Sequence, residues 1–458
     1  MRAGRGRSLR PGRRRTGHAD RGGSARGPRR LGPAGGVPLP GPGDPGPGVI
    51  ERIVVVGAST AGLATAESVR DAGFRGEVVL LGAEQWDPYR RPALSKQILL
   101  GTWKPDQARL VEASTLRALG IDFRPGHRAV RIDRRSRTVQ TDHHAIGTDI
   151  VRYDAVVIAT GASARRPSWA PYSAEANRPA PAVHVLRTLD DALRIAGQLV
   201  RRRRVTVVGT GVLGSEIASA ATARGARVSL VGRSAGLSLG AAGLRFSDRL
   251  RALHAARDVE VRTGAEVVAV RPTDGPRYDV RFADGTRLGS DVVIAAAGAE
   301  PAVAWLADSG LLTDGSLLAD SHGRVADRVF AVGDASSWLD PATGTHRACG
   351  HQLTAMEQGR SVGRLLAAGQ LSPYPIPFFW SEIHGARVQA SGRLDIADSV
   401  ELLAGDHDSD QALFGFRAGD HACGLVAWNM PKPFRNHQAA LLAELSAAGS
   451  AAHLLETS

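Results

Sequence analysis

One unit occurs twice in the chain. Residues 52 to 84 read RIVVVGASTAGLATAESVRDAGFRGEVVLLGAE, and residues 204 to 234 read RVTVVGTGVLGSEIASAATARGARVSLVGRS. In each copy a fully apolar run meets a glycine turn, a helix-length segment ends at Gly73 or Gly225, and a second apolar run follows. Runs that are apolar without alternation belong to strands buried on both faces of a parallel sheet, and a glycine just past a helix supplies its left-handed terminal turn. Each copy is a βαβ unit. Two copies about 150 residues apart predict an α/β chain with two doubly wound domains.

The glycines carry the chemistry. In the second copy Gly209, Gly211 and Gly214 complete the pattern in which the first permits the tight turn, the second admits a pyrophosphate and the third lets helix and strand pack closely. The anion then rests on a helix N-terminus, where free N–H groups and the dipole favour negative charge. The first copy has Gly57 and Gly62, with Ser59 in the middle slot, small enough to preserve the turn while narrowing the approach. Two further buried strands support a dinucleotide there: YDAVVIATG (153 to 161), ending in Thr160-Gly161, and VFAVGD (329 to 334), ending in Gly333-Asp334. An Asp just past a strand's carboxyl end lies where ligands of open α/β sheets bind, and Asp334 could accept a hydrogen bond from a ribityl hydroxyl.

Composition removes several classes. The chain has 458 residues and no apolar stretch near the roughly 20 residues of a membrane-spanning helix, so a soluble, cytoplasmic protein is expected. Cys349 and Cys423 are the only cysteines and no C-x-x-C occurs, which excludes a disulfide framework, a four-cysteine zinc site and a redox dithiol. Electrons must sit on a bound cofactor. The net charge of +13 is concentrated in residues 1 to 50, where eleven Arg face only Asp20 and Asp44, so the body is mildly basic. That arm holds 14 Gly and 8 Pro up to residue 48 and is expected to be disordered. It could bind phosphates by counterion release, but no aromatic residue is interleaved for stacking, so nucleic acid is not the expected partner. Translation is expected to begin near Val49.

The segments PYRRPALSK (88 to 96), ATG (159 to 161), VGTGVLGSE (208 to 216), VFAVGDAS (329 to 336), AMEQGR (355 to 360) and PFFWSEIHG (377 to 385) carry a family resemblance. From about Ile53 to about Pro433 the chain resembles the pyridine-nucleotide-disulfide oxidoreductase superfamily. It is most similar to the ferredoxin reductase branch of putidaredoxin reductase and Rieske dioxygenase reductases. The resemblance implies FAD as the only redox centre, NADH or NADPH as hydride donor, and a 2Fe-2S ferredoxin as acceptor, in a monomer or homodimer. It also implies a fold of two doubly wound nucleotide-binding domains, for FAD and NAD(P), plus a C-terminal α+β interface domain. Residues 51–170 and 290–370 would form the FAD domain, 171–289 the NAD(P) domain and 371–458 the third. Residues 277 to 298 read as a hairpin turning at Asp284-Gly285, followed by the strand that re-enters the FAD domain.

Family matches nominate the site. Lys96 and Glu216 match a Lys and a Glu placed beside the flavin N5, where opposite charges in a dry cleft keep each other ionised. Glu84, Arg91, Gly298 and Trp380 join the glycines, Thr160 and Asp334 as cofactor contacts. The chain departs from the pattern at Arg90, where relatives have Asp, and at Gly350-His351-Gln352, where they have Glu-His-Trp. Cys349 reads as a small buried hydrophobe, and the Asp406, His407, Asp408, Asp410 cluster as a solvated turn, so no metal is expected. At the end of the second strand of the 204 to 234 unit, the slot whose carboxylate would hold an adenosine ribose is Gly232, followed by Arg233. Loss of the repelling charge and gain of a guanidinium predict use of NADPH at least as well as NADH. The same flavin core elsewhere reduces quinones, or serves an interaction role as in apoptosis-inducing factors, and both readings stand as alternatives.

Overall fold

The computed structural model describes residues 49–170, 183–273, 277–407 and 409–441, and the backbone of the short strands Tyr172–Ser173 and Arg178–Pro179. The arm expected to be disordered, up to residue 48, and Asp408 lie outside the described residues.

Val-rich Arg52–Val56 runs through the middle of a six-stranded sheet, with Ile53 to Val56 at most 2% exposed. It pairs in parallel with Glu77–Leu81 on one side and Ala155–Ile158 on the other. Ile121–Arg124 and Val329–Ala331 extend the sheet in parallel, and Arg324–Ala326 closes the edge antiparallel. Helix Thr60–Asp71 covers one face and is itself crossed by helix Gln352–Ala368. Their close approach accounts for two glycines of the crossing helix, one within the AMEQGR segment and one just beyond it. A Cβ on Gly359 would come within 2.4 Å of the Ala61 carbonyl oxygen, and one on Gly363 within 2.6 Å of the Ser68 Cβ.

The second unit repeats this plan. Arg204–Val208, helix Val212–Ala223 and Arg227–Gly232 form its βαβ core, and its five strands are all parallel, in the order Val183–Val185, Val292–Ala295, Arg204–Val208, Arg227–Gly232, Glu260–Thr263. Each unit also carries a three-stranded antiparallel meander, Arg128–Asp133 to Gly147–Arg152 in the first and Val267–Pro272 to Arg287–Ser290 in the second. The expected hairpin at Asp284-Gly285 is present, with Gly285 at φ 83°.

The next strand differs from expectation. Val292–Ala295 does not re-enter the first sheet; it pairs with Arg204–Val208 and Val183–Val185 in the second, so the second unit extends beyond residue 289. The reason is a pinning device used twice. Asp154 accepts the backbone N–H groups of Glu51 and Arg52, fixing Ala155–Ile158 beside the first strand. Asp291 accepts the N–H of Arg204 at 2.8 Å and fixes Val292–Ala295 in the same way. Return to the first sheet comes afterwards, through an antiparallel pair of Ala299–Pro301 with Ala162–Ala164.

The third part is a five-stranded antiparallel sheet from Phe378–Ile383 to His421–Trp428, followed by a helix from 431 to 441. Its first turn docks on the second unit. His384, with a left-handed φ of 51°, donates its backbone N–H to the Ser219 hydroxyl. Its Nε2 lies 3.0 Å from Nδ1 of His254, a fully buried residue on helix Ser247–Ala255.

These contacts have two measurable outcomes. A Cβ on Gly214 would lie 1.8 Å from the Gly209 carbonyl oxygen, whereas one on Gly211 would meet nothing within 4 Å. Gly214→Ala is expected to destabilise by about 2–4 kcal/mol and Gly211→Ala by no more than about 0.5 kcal/mol, as read by thermal unfolding. Burial pushes both imidazoles down to about 4, with His384 adding repulsion at His254 and Arg257 at His384. The unfolded chain therefore takes up protons that the folded one refuses. Stability should be full above pH 6.5 and fall towards pH 4, less steeply in His384→Asn, whose side chain tolerates the left-handed backbone.

Candidate dinucleotide and electron-transfer site

The first glycine turn is built by contact with the neighbouring strand. Gly57, at φ 116°, passes so close to Ala159 that a Cβ would sit 2.2 Å from its carbonyl oxygen, and Gly62 lies against the Gly57 carbonyl in the same manner. Gly209 and Gly214 repeat both contacts, with Ala296 in place of Ala159. The middle slot is different. Ser59 (φ −95°, ψ −166°) and Gly211 (φ −86°, ψ −174°) adopt the same extended conformation, open to any residue, so Ser59 leaves the turn intact. Its hydroxyl accepts a hydrogen bond from Arg91 Nε at 3.1 Å.

Two adjoining cavities, of about 470 and 210 Å³, open at this turn and share Ser59, Arg91, Thr160 and Arg187 in their walls. The larger also holds Gly57 and Glu84; the smaller holds Gly161, Gly333 and Asp334. Arg91 reaches the Glu84 carboxylate at 2.8 Å, and the Tyr89 hydroxyl donates to the same carboxylate at 2.6 Å. Asp334 faces Arg187 at 3.7 Å. Burial and the neighbouring Arg91 lower the Arg187 pKa, with Asp334 and Glu84 offsetting part of the effect. Gly350, His351 and Gln352, where the chain departs from its relatives, line the smaller cavity beside Asp334. Cys349 is buried in the apolar core behind them, its thiol pushed up to about 12 by burial and by Asp334.

Lys96 and Glu216 form an ion pair of 2.7 Å, each side chain 7% exposed. Lys96 lies on a π-helical turn, Leu94–Ile98, of the first unit, and Glu216 in the first turns of helix Val212–Ala223 of the second. The third part completes the cluster: Ser381 donates to Glu216 Oε1 at 2.6 Å, Ser95 donates to Oε2, and the ammonium sits 4.9 Å from the centroid of the partly exposed Trp380 ring. Every carboxylate oxygen has a donor. Such satisfaction is what a buried ion pair requires to persist.

At the second cradle, Gly232 packs on Thr210, and a Cβ there would meet Thr210 Cγ2 at 2.9 Å. A side chain at that slot would have to push the Thr210 side chain aside. Arg233, next along, is exposed. Gly298 lines neither cavity; it occupies the connection from Val292–Ala295 to Ala299–Pro301 at φ 100°. Sequence reasoning missed Arg187, Tyr89 as an anchor of Glu84, and the two serines that satisfy Glu216. Tyr89, Ser95 and Ser381 all lay in segments already singled out, PYRRPALSK and PFFWSEIHG; Arg187 carries no local signal, since its partner is 147 residues away.

Residues 51–359 match the family described as pyridine nucleotide-disulphide oxidoreductase. The chain is 31% identical over 407 residues to the ferredoxin reductase component of a chlorobenzene dioxygenase from Cupriavidus sp. (strain PS12), covering 89% of this chain and 95% of that protein. It is 30% identical to a terpredoxin reductase of Pseudomonas sp, over 82% of this chain and 90% of that one. Among solved structures, the covalent putidaredoxin reductase–putidaredoxin complex superposes with a TM-score of 0.80 at 26% identity, covering 86% of this chain and 93% of that one. With the duplicated cradle and the matched span together, the chain belongs to the pyridine nucleotide-disulphide oxidoreductase family.

Proposed function

We propose that the protein is an FAD-dependent NAD(P)H:ferredoxin oxidoreductase, taking a hydride from NAD(P)H and delivering single electrons to a 2Fe-2S ferredoxin that serves a cytochrome P450 or a dioxygenase. The observation that carries this reading is the Lys96–Glu216 pair, which joins the two βαβ units and is bonded by Ser381 of the third sheet. Relatives named as reductase components of dioxygenase systems support it, as does the putidaredoxin-bound structural neighbour.

The residues fit a dinucleotide flavin. The glycine turn leaves a helix N-terminus open beside Ser59 and Arg91, two cavities adjoin there, and Glu84 is oriented by Tyr89. FAD, when bound, supplies the hydride and one-electron chemistry. In this reading Arg91 and the helix N-terminus hold the pyrophosphate, Glu84 accepts from the adenosine ribose, and Asp334 accepts from the ribityl chain. Lys96 holds a positive charge in a site from which water is excluded, where it counts for more than in water. Gly209, Gly211 and Gly214 cradle the nicotinamide dinucleotide. The proposed FAD part is 51–170 with the segment after Ala299, the NAD(P) part ends at Ala295, and the third begins near residue 371.

The purified protein should be yellow, bleach under anaerobic NAD(P)H, and reduce cytochrome c far faster once a 2Fe-2S ferredoxin is added; turnover indifferent to ferredoxin would point to a small-molecule acceptor instead. Lys96→Ala and Glu216→Ala should retain FAD and slow its reduction roughly tenfold to a thousandfold. A wild-type stopped-flow rate in both would remove the pair from the chemistry.

With Gly232 wedged against Thr210 and Arg233 next to it, NADPH should be used at least as well as NADH. Arg233→Ala should lower kcat/KM for NADPH by roughly tenfold to a hundredfold, the worth of one charge-assisted contact, and leave NADH unchanged. A strong NADH preference unaffected by the substitution would overturn this.

A further inference from the structure

Six arginines follow strand Arg227–Gly232 before residue 263, and the structure commits most of them elsewhere. Arg245 donates to the Ala397 carbonyl, and Arg249 to those of His407 and Ser409, all in the third part. Arg257 acts on His384 of the same part, and Arg262 pairs with Glu260 at 2.6 Å. Arg233 and Arg251 remain. Arg251 lies on helix Ser247–Ala255, whose start is tied to the loop after Gly232 by the Leu237 N–H, donated to the Ser247 hydroxyl at 3.0 Å. Helix side chains lean towards the N-terminus of their helix, which here carries Arg251 towards the carboxyl ends of the strands. Its Nη2 donates to the Thr263 hydroxyl at 3.0 Å. Thr263 is the register partner of Gly232 in the neighbouring parallel strand, one strand spacing of about 4.8 Å away. The chain after Gly232 is bonded to the same place: the Gly232 carbonyl accepts the N–H of Ala265 at 2.9 Å, and the Ser234 carbonyl that of Gly264 at 2.8 Å. Arg233 lies between those two carbonyls. Two arginines from separate elements are thus brought to one sheet end, beside the slot where an acid would hold an adenosine ribose. Thr263 engages a single N–H of the Arg251 fork, and among the described residues no ion pair takes up the rest. Of the acids close to it in sequence, Asp248 and Glu266 are exposed, and Glu260 is bonded by Ser229 and Arg262.

We propose that Arg251 is a second contact for the 2′-phosphate of NADPH, acting beside Arg233. The inference rests on the second cradle being the nicotinamide dinucleotide site, and it names a residue that would make that site selective for the phosphorylated ribose. Guanidinium forks match phosphate oxygens two at a time. A fork already steadied by Thr263 loses less side-chain freedom on binding than one in open solvent. A staple between helix and strand would use the same Arg251–Thr263 bond, and nucleotide binding separates the two roles, because a staple does not discriminate a ribose with a phosphate from one without.

Titration calorimetry of the FAD-loaded, full-length protein with 2′,5′-ADP and with 5′-AMP at constant ionic strength tests this. The wild type should bind 2′,5′-ADP roughly tenfold or more tighter than 5′-AMP, since each charge-assisted contact is worth about that much. Arg251→Gln, which keeps a donor for Thr263 and removes the charge, should weaken 2′,5′-ADP roughly tenfold and leave 5′-AMP where it was. Arg233→Ala/Arg251→Gln should bind the two nucleotides alike. If Arg251→Gln fails to fold, Arg251→Lys, which keeps the charge but not the fork, must show weakening in the same direction. A preference undiminished in Arg251→Gln but reduced in Arg233→Ala overturns the proposal and leaves the NADPH reading standing. An equal loss of both nucleotides in Arg251→Gln also overturns it, as the mark of a staple. The absence of any preference in the wild type overturns the proposal and the NADPH reading together, and flavin bleaching by NADH would then show that the oxidoreductase reading survives them.

Discussion

An ammonium and a carboxylate, 2.7 Å apart and almost out of water, stand where three parts of the chain meet. Each ion carries a desolvation penalty of several kcal/mol, and the pair persists only because its geometry is close and its remaining oxygens are satisfied by Ser95 and Ser381. Withdrawing one partner would leave an uncompensated buried charge, a loss of about 3–5 kcal/mol. The three parts are thereby held to one arrangement. A well-packed apolar pair of similar volume would hold them at least as firmly, so the charges are better understood through what they do at the junction: they fix a cation beside Trp380.

The glycine logic was legible because its cause is local. Gly57, Gly62, Gly209 and Gly214 each stand where a Cβ would strike a carbonyl oxygen, and that constraint is written in the spacing itself. The βαβ cores, the Asp284-Gly285 hairpin and the strands ending at Thr160-Gly161 and Gly333-Asp334 were readable for the same reason. What failed was allocation. VVIA at 292 to 295 reads as a buried parallel strand in either sheet, and only Asp291, bonding back to Arg204, decides which. The parallel between YDAVVIATG and SDVVIAAAG, each with an Asp before the strand, was the available signal.

The polar network behind the site was less legible. Arg187 meets Asp334 and Ser381 meets Glu216 across separations of 147 and 165 residues; Ser381 and Glu216 lay in segments already singled out, but the sequence does not say that they touch. Lys96 and Glu216 were nominated through the family, and the structure puts them in contact across the boundary of the two units. The middle slot of the fingerprint also resolves here. Because Ser59 and Gly211 share one extended conformation, the serine costs the backbone nothing, and it gains a bond to Arg91.

The interleaving of the two sheets orders events on the ribosome. The second sheet is complete once Val292–Ala295 has been made, since all five of its strands lie between residues 183 and 295. The first still lacks Val329–Ala331 and the covering helix Gln352–Ala368, roughly 70 residues downstream and several seconds of synthesis. The half that begins first therefore finishes last. Through that interval its central strands have one edge unpaired, while the inserted half stands folded beside them, its two ends brought together by the Ala162–Ala164 and Ala299–Pro301 pair. A nascent chain of this design exposes one sheet edge at a time.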